Sequence, residues 1–228
     1  MHPLKTDSLM AKAGRFIQNQ QGSLLIIFFG IWIPLCGFEW LAEAIRHQKN
    51  LPWDTALLRF LEGSLAPGAD KLLSLVARTG NINAVVALAA IGVLVLKHER
   101  RMRDALFLTL AIVGVVIGNL LVRTVVQRTQ STVWGTFAPV FESSFPSSQA
   151  ADALAIAFAF AALTWATRWR WSVLTLGTFY VLAVGLSRIH LGLHYPSDIL
   201  AGWALAWVTA VSFVRRTSVK PETLESGE

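Results

Sequence analysis

Six apolar runs alternate with shorter polar connections along this chain. About 20 consecutive apolar residues are needed for a helix to cross a hydrocarbon core of about 30 Å, and several runs approach that length. The runs are 22–43, 81–97, 105–126, 149–167, 171–187 and 197–214. The pattern predicts an all-α fold, a six-transmembrane-helix bundle.

The connection between the first and second runs has a different pattern. Residues 51–79 mix apolar and charged positions, and the pair Pro67-Gly68 interrupts them in the middle. A Pro-Gly pair favours a break in a helix. We therefore expect two short amphipathic helices that lie at the membrane interface, between the first and second spans.

Composition supports a membrane protein. Hydrophobic residues make up 54% of the chain and charged residues 15%, whereas soluble domains carry about 25% charged residues. The single cysteine, Cys36, excludes an internal disulfide and a thiol-based metal site. We expect no cofactor and no metal. The net charge of +6 lies in the connections, so it favours membrane topology and the bilayer as partner rather than nucleic acid.

The distribution of Lys and Arg predicts the orientation. Twelve of these residues fall on one face of the predicted bundle and eight on the other, with the clearest cluster in KHERRMR, residues 97–103. The positive-inside rule then places both termini in the cytoplasm. It places the connections 127–148 and 188–196 together on the outer face.

The predicted organisation is a single helical domain with polar ends. Residues 1–21 form a cytoplasmic N-terminal segment, residues 22–216 the six-helix membrane domain, and residues 217–228 a disordered cytoplasmic tail. The sequence does not determine the oligomeric state.

Unusual polar residues concentrate in the outer-face connections. Arg123 and Arg128 lie at the end of the third run, and Arg188 lies at the end of the fifth. Arginines bind phosphate oxygens through paired hydrogen bonds, which suits Arg123 and Arg188. For Arg128 we favour the interpretation of a side chain that snorkels to the interface.

The stretch FESSFPSSQAAD opens the fourth run. Ser143 or Ser144 is a candidate helix cap, and Pro146 suits a position in the first turn. Backbone N–H groups at a helix N-terminus form a natural anion site. The groups that would face outward belong to Ser147, Ser148 and Gln149.

The stretch LSRIHLGLHYPSDILAGW, residues 186–203, offers an imidazole beside a carboxylate. His194 and Asp198 are four residues apart, which places them on one face if a helix begins before them. A carboxylate that holds one ring nitrogen leaves the other as a nucleophile or base. The pair His190 and His194 lacks the further ligands that a metal site needs.

These residues resemble the motifs of the phosphatidic acid phosphatase type 2 superfamily, which includes the vanadium haloperoxidases. Ser187-Arg188, five residues, His194, three residues and Asp198 are similar to the complete third motif. The other two motifs are degenerate. Residues 123–131 stand where the family has Lys-x6-Arg-Pro, and residues 146–149 stand where it has Pro-Ser-Gly-His.

The resemblance implies a role for each matching position. His194 would attack phosphorus and form a phosphohistidine, Asp198 would orient its ring, and Arg188 would hold phosphoryl oxygens. The implied substrate-binding residues are Arg123, Ser147, Ser148, Gln149 and Gln130. The departures are Arg123 for lysine, Gln130-Ser131 for Arg-Pro, and Gln149 for the second histidine.

Loss of the second histidine removes the family's general acid. General acid catalysis contributes about 10²–10⁴-fold, and the amide of Gln149 has no titrating proton. His190 and Asp152 are the two candidate substitutes in the sequence. An alkoxide leaving group depends on such an acid more than the phosphate released from a diphosphate does.

We therefore expect an integral membrane lipid phosphatase or diphosphatase that acts at the outer face, in a bacterial inner (plasma) membrane. Its substrate would be a lipid phosphate or diphosphate, and transfer to another acceptor is an alternative to hydrolysis. The alternative of a different class is a catalytically impaired relative that binds lipid phosphate or supports another membrane protein.

Overall fold

The computed structural model describes residues 28–47, 51–62, 69–128 and 143–214, which are mostly helical with no strand among them. Helix α1 begins with a π-helical turn and spans Phe28–Arg46. The other helices are α2 Pro52–Glu62, α3 Ala69–Thr79, α4 Ile82–His98, α5 Met102–Val125, α6 Ser148–Thr164, α7 Arg170–His190 and α8 Pro196–Phe213.

Within the described residues, each predicted apolar run lies largely in a helix, so the all-α prediction is confirmed. Within the described ranges, three helices are long and apolar enough to cross a bilayer, namely α1, α5 and α7. Helices α3 and α4 together would make a fourth span, bent by 50°. Helix α6 is apolar but has only 17 residues, about 26 Å at 1.5 Å per residue. The number of six spans stays a prediction.

The two short helices after the first span lie where the pattern predicts them. Helices α2 and α3 are both amphipathic and flank the Pro67-Gly68 pair, which itself lies outside the described residues. Trp53, Leu57 and Phe60 of α2 are exposed, as expected of a helix at the interface. Asp54, between them, is buried at 1% exposure, so α2 also presents a polar group to the bundle.

Helix α6 forms the centre of the bundle and contacts α4, α5, α7 and α8. Its buried face is built from alanines, including Ala151, Ala155 and Ala159. Small side chains let helix backbones approach closely in a membrane, where lipid competes with every larger apolar contact. Large apolar side chains such as Leu120 and Leu176 instead point outward, with more than 60% of their surface exposed.

The two ends of the bundle carry different polar groups. The turn between α4 and α5 holds Arg101, which pairs with Asp104 at 2.8 Å and approaches the carbonyl of Leu163 at the end of α6. Helix α5 then runs for 24 residues, about 36 Å, and carries Arg123 in its last turn. The KHERRMR cluster and the predicted site are therefore at opposite ends of the bundle. The segments 1–21 and 217–228 lie outside the described residues.

Candidate functional site

His194 lies in the turn between α7 and α8, before the helix that carries Asp198 begins. Its side chain is 2% exposed, and Nδ1 lies 2.9 Å from the backbone carbonyl of Ser144. A carbonyl only accepts hydrogen bonds, so Nδ1 carries the proton. In the neutral ring, Nε2 therefore keeps its lone pair and is the nucleophilic atom.

Asp198 is near this ring, but its direct partners are others. The carboxylate Oδ2 accepts a hydrogen bond from the backbone N–H of Tyr195 at 2.9 Å and lies 3.7 Å from His194 Nδ1. A separation of 3.7 Å is longer than a hydrogen bond. The carbonyl of Ser144 thus accepts the ring hydrogen bond, while Asp198 lies within ion-pair distance of the ring and acts on it through its charge.

The surroundings of His194 favour its neutral form. Burial lowers the pKa of His194 below its usual value, and the positive charges of Arg188 and Arg123 lower it further. The charge of Asp198 opposes this shift without cancelling it. The imidazole is therefore neutral at neutral pH, with Nε2 unprotonated, as attack on phosphorus requires.

Two arginines from separate helices converge on this imidazole. Arg123, in the last turn of α5, donates to the carbonyl of Pro146 from Nη2 at 3.3 Å and to Ser148 Oγ at 3.3 Å. Arg188 lies in the last turn of α7, and its buried Nε has no hydrogen-bond partner within the described part of the chain. The side chains are thus positioned to receive an anion next to His194.

The N-terminus of α6 differs from its prediction in its cap. The capping residue is Ser147, not Ser143 or Ser144, and Pro146 precedes the helix. Ser147 Oγ accepts from the N–H of Ala150 at 3.4 Å. Ser143 and Ser144 were wrong as caps because α6 begins only at Ser148, and Ser143 Oγ instead donates to the carbonyl of Val126 at 2.9 Å.

The three predicted N–H donors do not all face outward. The N–H of Ser147 donates to the backbone carbonyl of Asp198 at 3.0 Å and so joins α6 to α8. Ser148 and Gln149 occupy the first turn, where N–H groups have no acceptor within the helix. The side chain of Gln149 accepts from Ser148 Oγ at 3.3 Å, beside Arg123. Gln130 lies outside the described residues.

Arg128 does not snorkel to the interface, and that interpretation was wrong. Its Nη1 donates to Asp198 Oδ1 at 2.6 Å and to Ser197 Oγ at 2.7 Å, and its Nη2 donates to Asp54 Oδ2 at 2.8 Å. The guanidinium also lies over the ring of Tyr195, 4.0 Å from its centroid. Burial would lower the pKa of Arg128, but the two carboxylates outweigh this effect and raise it, so its charge is fixed.

Asp54 is a residue of this site that the sequence interpretation missed. Besides Arg128, its carboxylate accepts from the N–H of Ser197 at 2.9 Å and from Ser197 Oγ at 2.6 Å. An aspartate in the first turn of an amphipathic helix usually indicates only a favourable helix end. Asp54 is 143 residues from Ser197 along the chain, so no local spacing signals their contact.

The two candidate acids lie in different places. Asp152 is one turn into α6, almost fully buried, and interacts electrostatically with Arg123. This placement makes it a counter-charge for Arg123. His190 ends helix α7, two residues after Arg188. Neither is identified as the acid by its contacts.

Comparisons with known proteins agree with these motifs. Residues 123–220 match the model of the PAP2 superfamily, and the predicted resemblance is confirmed. An undecaprenyl-diphosphatase of Sulfolobus acidocaldarius is 23% identical over 194 residues, which cover 83% of this chain and 86% of the relative.

Two crystal structures share the fold. A transmembrane PAP2-type phosphatidylglycerolphosphate phosphatase from Bacillus subtilis aligns with a TM-score of 0.70 and 20% identity, over 83% of this chain and 99% of the other. LpxE of Aquifex aeolicus aligns with a TM-score of 0.61 and 20% identity, over 72% of this chain and 96% of the other. At these identities the likeness establishes the fold alone.

Proposed function

We propose that this chain, whose residues 123–220 match the model of the PAP2 superfamily, is an integral membrane enzyme that hydrolyses the terminal phosphate of a lipid diphosphate at the outer face. The observation that carries the proposal is the His194 ring. Its Nδ1 proton is held by the Ser144 carbonyl, which leaves Nε2 unprotonated beside two arginines.

The first chemical step is attack on the terminal phosphorus. The Nε2 lone pair of His194 forms a P–N bond, the bond from phosphorus to the bridging oxygen breaks, and the lipid monophosphate leaves with that electron pair. Arg123 and Arg188 stabilise the negative charge on the phosphoryl oxygens, since they are fixed where charge develops. The first-turn N–H groups of Ser148 and Gln149 add two donors.

The second step releases inorganic phosphate. Water attacks the phosphohistidine, the P–N bond breaks, and the electron pair returns to Nε2. The proton of the water passes to solvent or to the phosphate product. A hydroxyl group of another molecule in place of the water would make the same site a transferase.

Gln149 favours the diphosphate over a monophosphate ester. An amide can donate a hydrogen bond to the leaving oxygen but cannot transfer a proton to it. A leaving phosphate carries its charge without protonation, whereas an alkoxide does not. The relative from Sulfolobus acidocaldarius bears the name of a diphosphatase, which agrees with this substrate class.

Phosphate release from purified full-length protein tests the function. The panel is undecaprenyl diphosphate, phosphatidylglycerol phosphate and phosphatidate. We expect the diphosphate to be hydrolysed fastest and His194→Ala to abolish release. His98→Ala, at the opposite end of the bundle, is the matched control and should keep full activity.

Two results would contradict the proposal. Equal rates on the diphosphate and the monophosphates would contradict the argument that Gln149 favours a diphosphate substrate. Saturable binding of these lipids without phosphate release would instead indicate a lipid-binding protein without catalytic activity.

A further inference from the structure

A buried bridge of charged side chains joins three separate parts of the chain beside His194. Asp54 comes from α2, Arg128 from the segment after α5, and Asp198 from the first turn of α8. Both carboxylates are at most 1% exposed, and the Arg128 side chain is 13% exposed. We call these three residues the Asp54–Arg128–Asp198 bridge.

The bridge is not explained by stability. Removing two carboxylates and a guanidinium from water costs several kcal/mol per ion, and their attraction does little more than offset this cost. The two carboxylates and one arginine also leave a net charge of −1. Such a bridge provides a fixed geometry, because each nitrogen of the planar guanidinium donates a hydrogen bond only to an oxygen that lies in a defined direction.

Arg128 holds the surroundings of His194 from two sides. Through its side chain it fixes Asp198, whose Oδ2 accepts from the N–H of Tyr195, the residue after His194. Through its backbone carbonyl it accepts from the N–H of Ser144 at 2.8 Å. The carbonyl of that same Ser144 accepts from His194 Nδ1. Arg128 thus holds in place both the His194 ring and the turn that carries it.

Asp54 sets the direction of the Arg128 side chain. Without it, Nη2 would lose its 2.8 Å acceptor, and Ser197 would lose the acceptor for both its N–H and its hydroxyl. Ser197 precedes Asp198, so its release would loosen the first turn of α8. The carboxylate of α2 therefore completes a support that the site helices do not supply among themselves.

We propose that Asp54 and Arg128 are positioning residues, which hold the His194 ring in line with the scissile phosphorus without touching the substrate. This inference rests on the proposed function. It assigns helix α2, at the membrane surface, a part in alignment of the site.

The test compares variants of the bridge with a control variant in the Arg101–Asp104 ion pair. Asp54→Asn removes the acceptor charge, and Arg128→Lys keeps a positive charge but offers one nitrogen that cannot span both carboxylates. Asp104→Asn is the control, because it breaks the 2.8 Å pair with Arg101 at the opposite end of the bundle. All are assayed as full-length protein on undecaprenyl diphosphate.

We expect Asp54→Asn and Arg128→Lys each to lower kcat by about 10²-fold, the typical cost of a small misplacement of a reacting group. KM should stay within about threefold, because Arg123 and Arg188 still bind the phosphate. A loss of folded protein would lower the apparent kcat in proportion to the folded fraction, which thermal unfolding measures. Asp104→Asn should keep the wild-type kcat.

Ser197→Ala keeps the test decisive if a charge variant does not fold. It removes the hydroxyl that hydrogen-bonds Asp54 and Arg128 and leaves every charge in place, and we expect a loss of about tenfold in kcat. Wild-type kcat in folded Ser197→Ala and Arg128→Lys would overturn the inference. A rise in KM with an unchanged kcat would overturn it as well.

Binding of orthovanadate separates this inference from the proposed function. Vanadate mimics a phosphoryl group bonded to an imidazole, and its stabilisation of the protein is measured by thermal unfolding without any turnover. We expect Asp54→Asn to weaken vanadate binding about tenfold or more, and Asp104→Asn to leave it unchanged. If the wild type hydrolyses none of the lipids, the proposed function fails, while this comparison still decides the positioning role. Equal vanadate affinity of Asp54→Asn and wild type would overturn it.

Discussion

At the scale of single residues, the proton of the His194 ring is placed by a backbone carbonyl. Ser144 accepts from Nδ1 at 2.9 Å, while the carboxylate of Asp198 is 3.7 Å away and bonded to Arg128. A carbonyl fixes the tautomer as firmly as a carboxylate does, but it carries no full negative charge to stabilise the protonated ring. The histidine therefore stays neutral and nucleophilic at neutral pH.

This environment predicts the pH dependence of hydrolysis. Because the pKa of His194 lies below its usual value of about 6.5, protonation removes the nucleophile only at lower pH. We expect kcat/KM to be constant from pH 8 to about 6.5 and to fall below it. Asp198→Asn removes the charge that raises this pKa, so its acid limb should move further down.

The substrate phosphate also titrates near pH 6, so the profile needs a control. It is measured for the wild type and Asp198→Asn on the same substrate, and an acid limb that moves between the two belongs to the enzyme. An enzyme limb above pH 7 in the wild type would contradict a nucleophile held neutral by burial.

A second prediction at the scale of single residues concerns Gln149. Gln149→His restores an acid at the N-terminus of α6, so hydrolysis of phosphatidate should rise by about 10²-fold. Hydrolysis of undecaprenyl diphosphate should rise less than tenfold, because its leaving group needs no proton. Gln127→His, on the exposed surface at the same end, is the control. An equal rise on both substrates would mean that Gln149 limits something other than protonation.

At the scale of helices, the site depends on how closely α8 crosses the start of α6. The N–H of Ser147 donates to the carbonyl of Asp198, and Gly202 lies one turn further along α8 against the same residue. A Cβ on Gly202 would meet the carbonyl oxygen of Ser147 at 2.5 Å. The obstruction is backbone, which cannot rotate away as a side chain can.

Gly202→Ala should therefore force the two helices apart. We expect a destabilisation of about 1–3 kcal/mol and a loss of activity larger than the loss of folded protein, because Ser147 and Asp198 separate. Gly118→Ala in α5 is the matched control, since its Cβ would lie an ordinary 3.4 Å from Leu205. Thermal unfolding and phosphate release measure both effects. A fully active and stable Gly202→Ala would show that the crossing is looser than described.

At the scale of the whole molecule, the charged turn of residues 97–103 and the site occupy opposite ends of the bundle. The ends are about 36 Å apart along α5, enough to separate the two faces of a membrane. The excess of Lys and Arg at the end away from the site predicts a cytoplasmic location for that end. We therefore propose that the site faces outward, towards a lipid headgroup of the outer leaflet.

Cysteine labelling in intact cells tests this orientation. Cys36→Ala removes the single native cysteine, and Gln127→Cys or Arg168→Cys then places one thiol at either end. We expect a membrane-impermeant maleimide to label Gln127→Cys only, and to label both variants after permeabilisation. Labelling of Arg168→Cys alone would reverse the topology.

The sequence predicted the helices better than the contacts between them. The described parts of the six apolar runs lie largely in helices, and the helices on either side of Pro67-Gly68 are separate. Arg123 and Arg188 are near enough to His194 for their charges to act on it, and their roles as site residues stay predictions. The prediction was wrong for the cap of α6 and for Arg128. The error for Arg128 concerns a side chain whose partners, Asp54 and Asp198, lie 74 and 70 residues away in the chain. The error for the cap is a local one, since α6 begins a few residues later than the pattern predicts.

The sequence by itself determined the environment of each segment and the residue types available to it. Hydrophobic periodicity fixes which segments are helices, and the spacing of Arg188, His194 and Asp198 identifies the chemistry, because both are local properties. Only the tertiary structure decided that Asp54 reaches Arg128 and that Ser144 holds His194. Such contacts depend on how helices pack, and polar partners that are 50 or more residues apart leave no periodic trace in the chain.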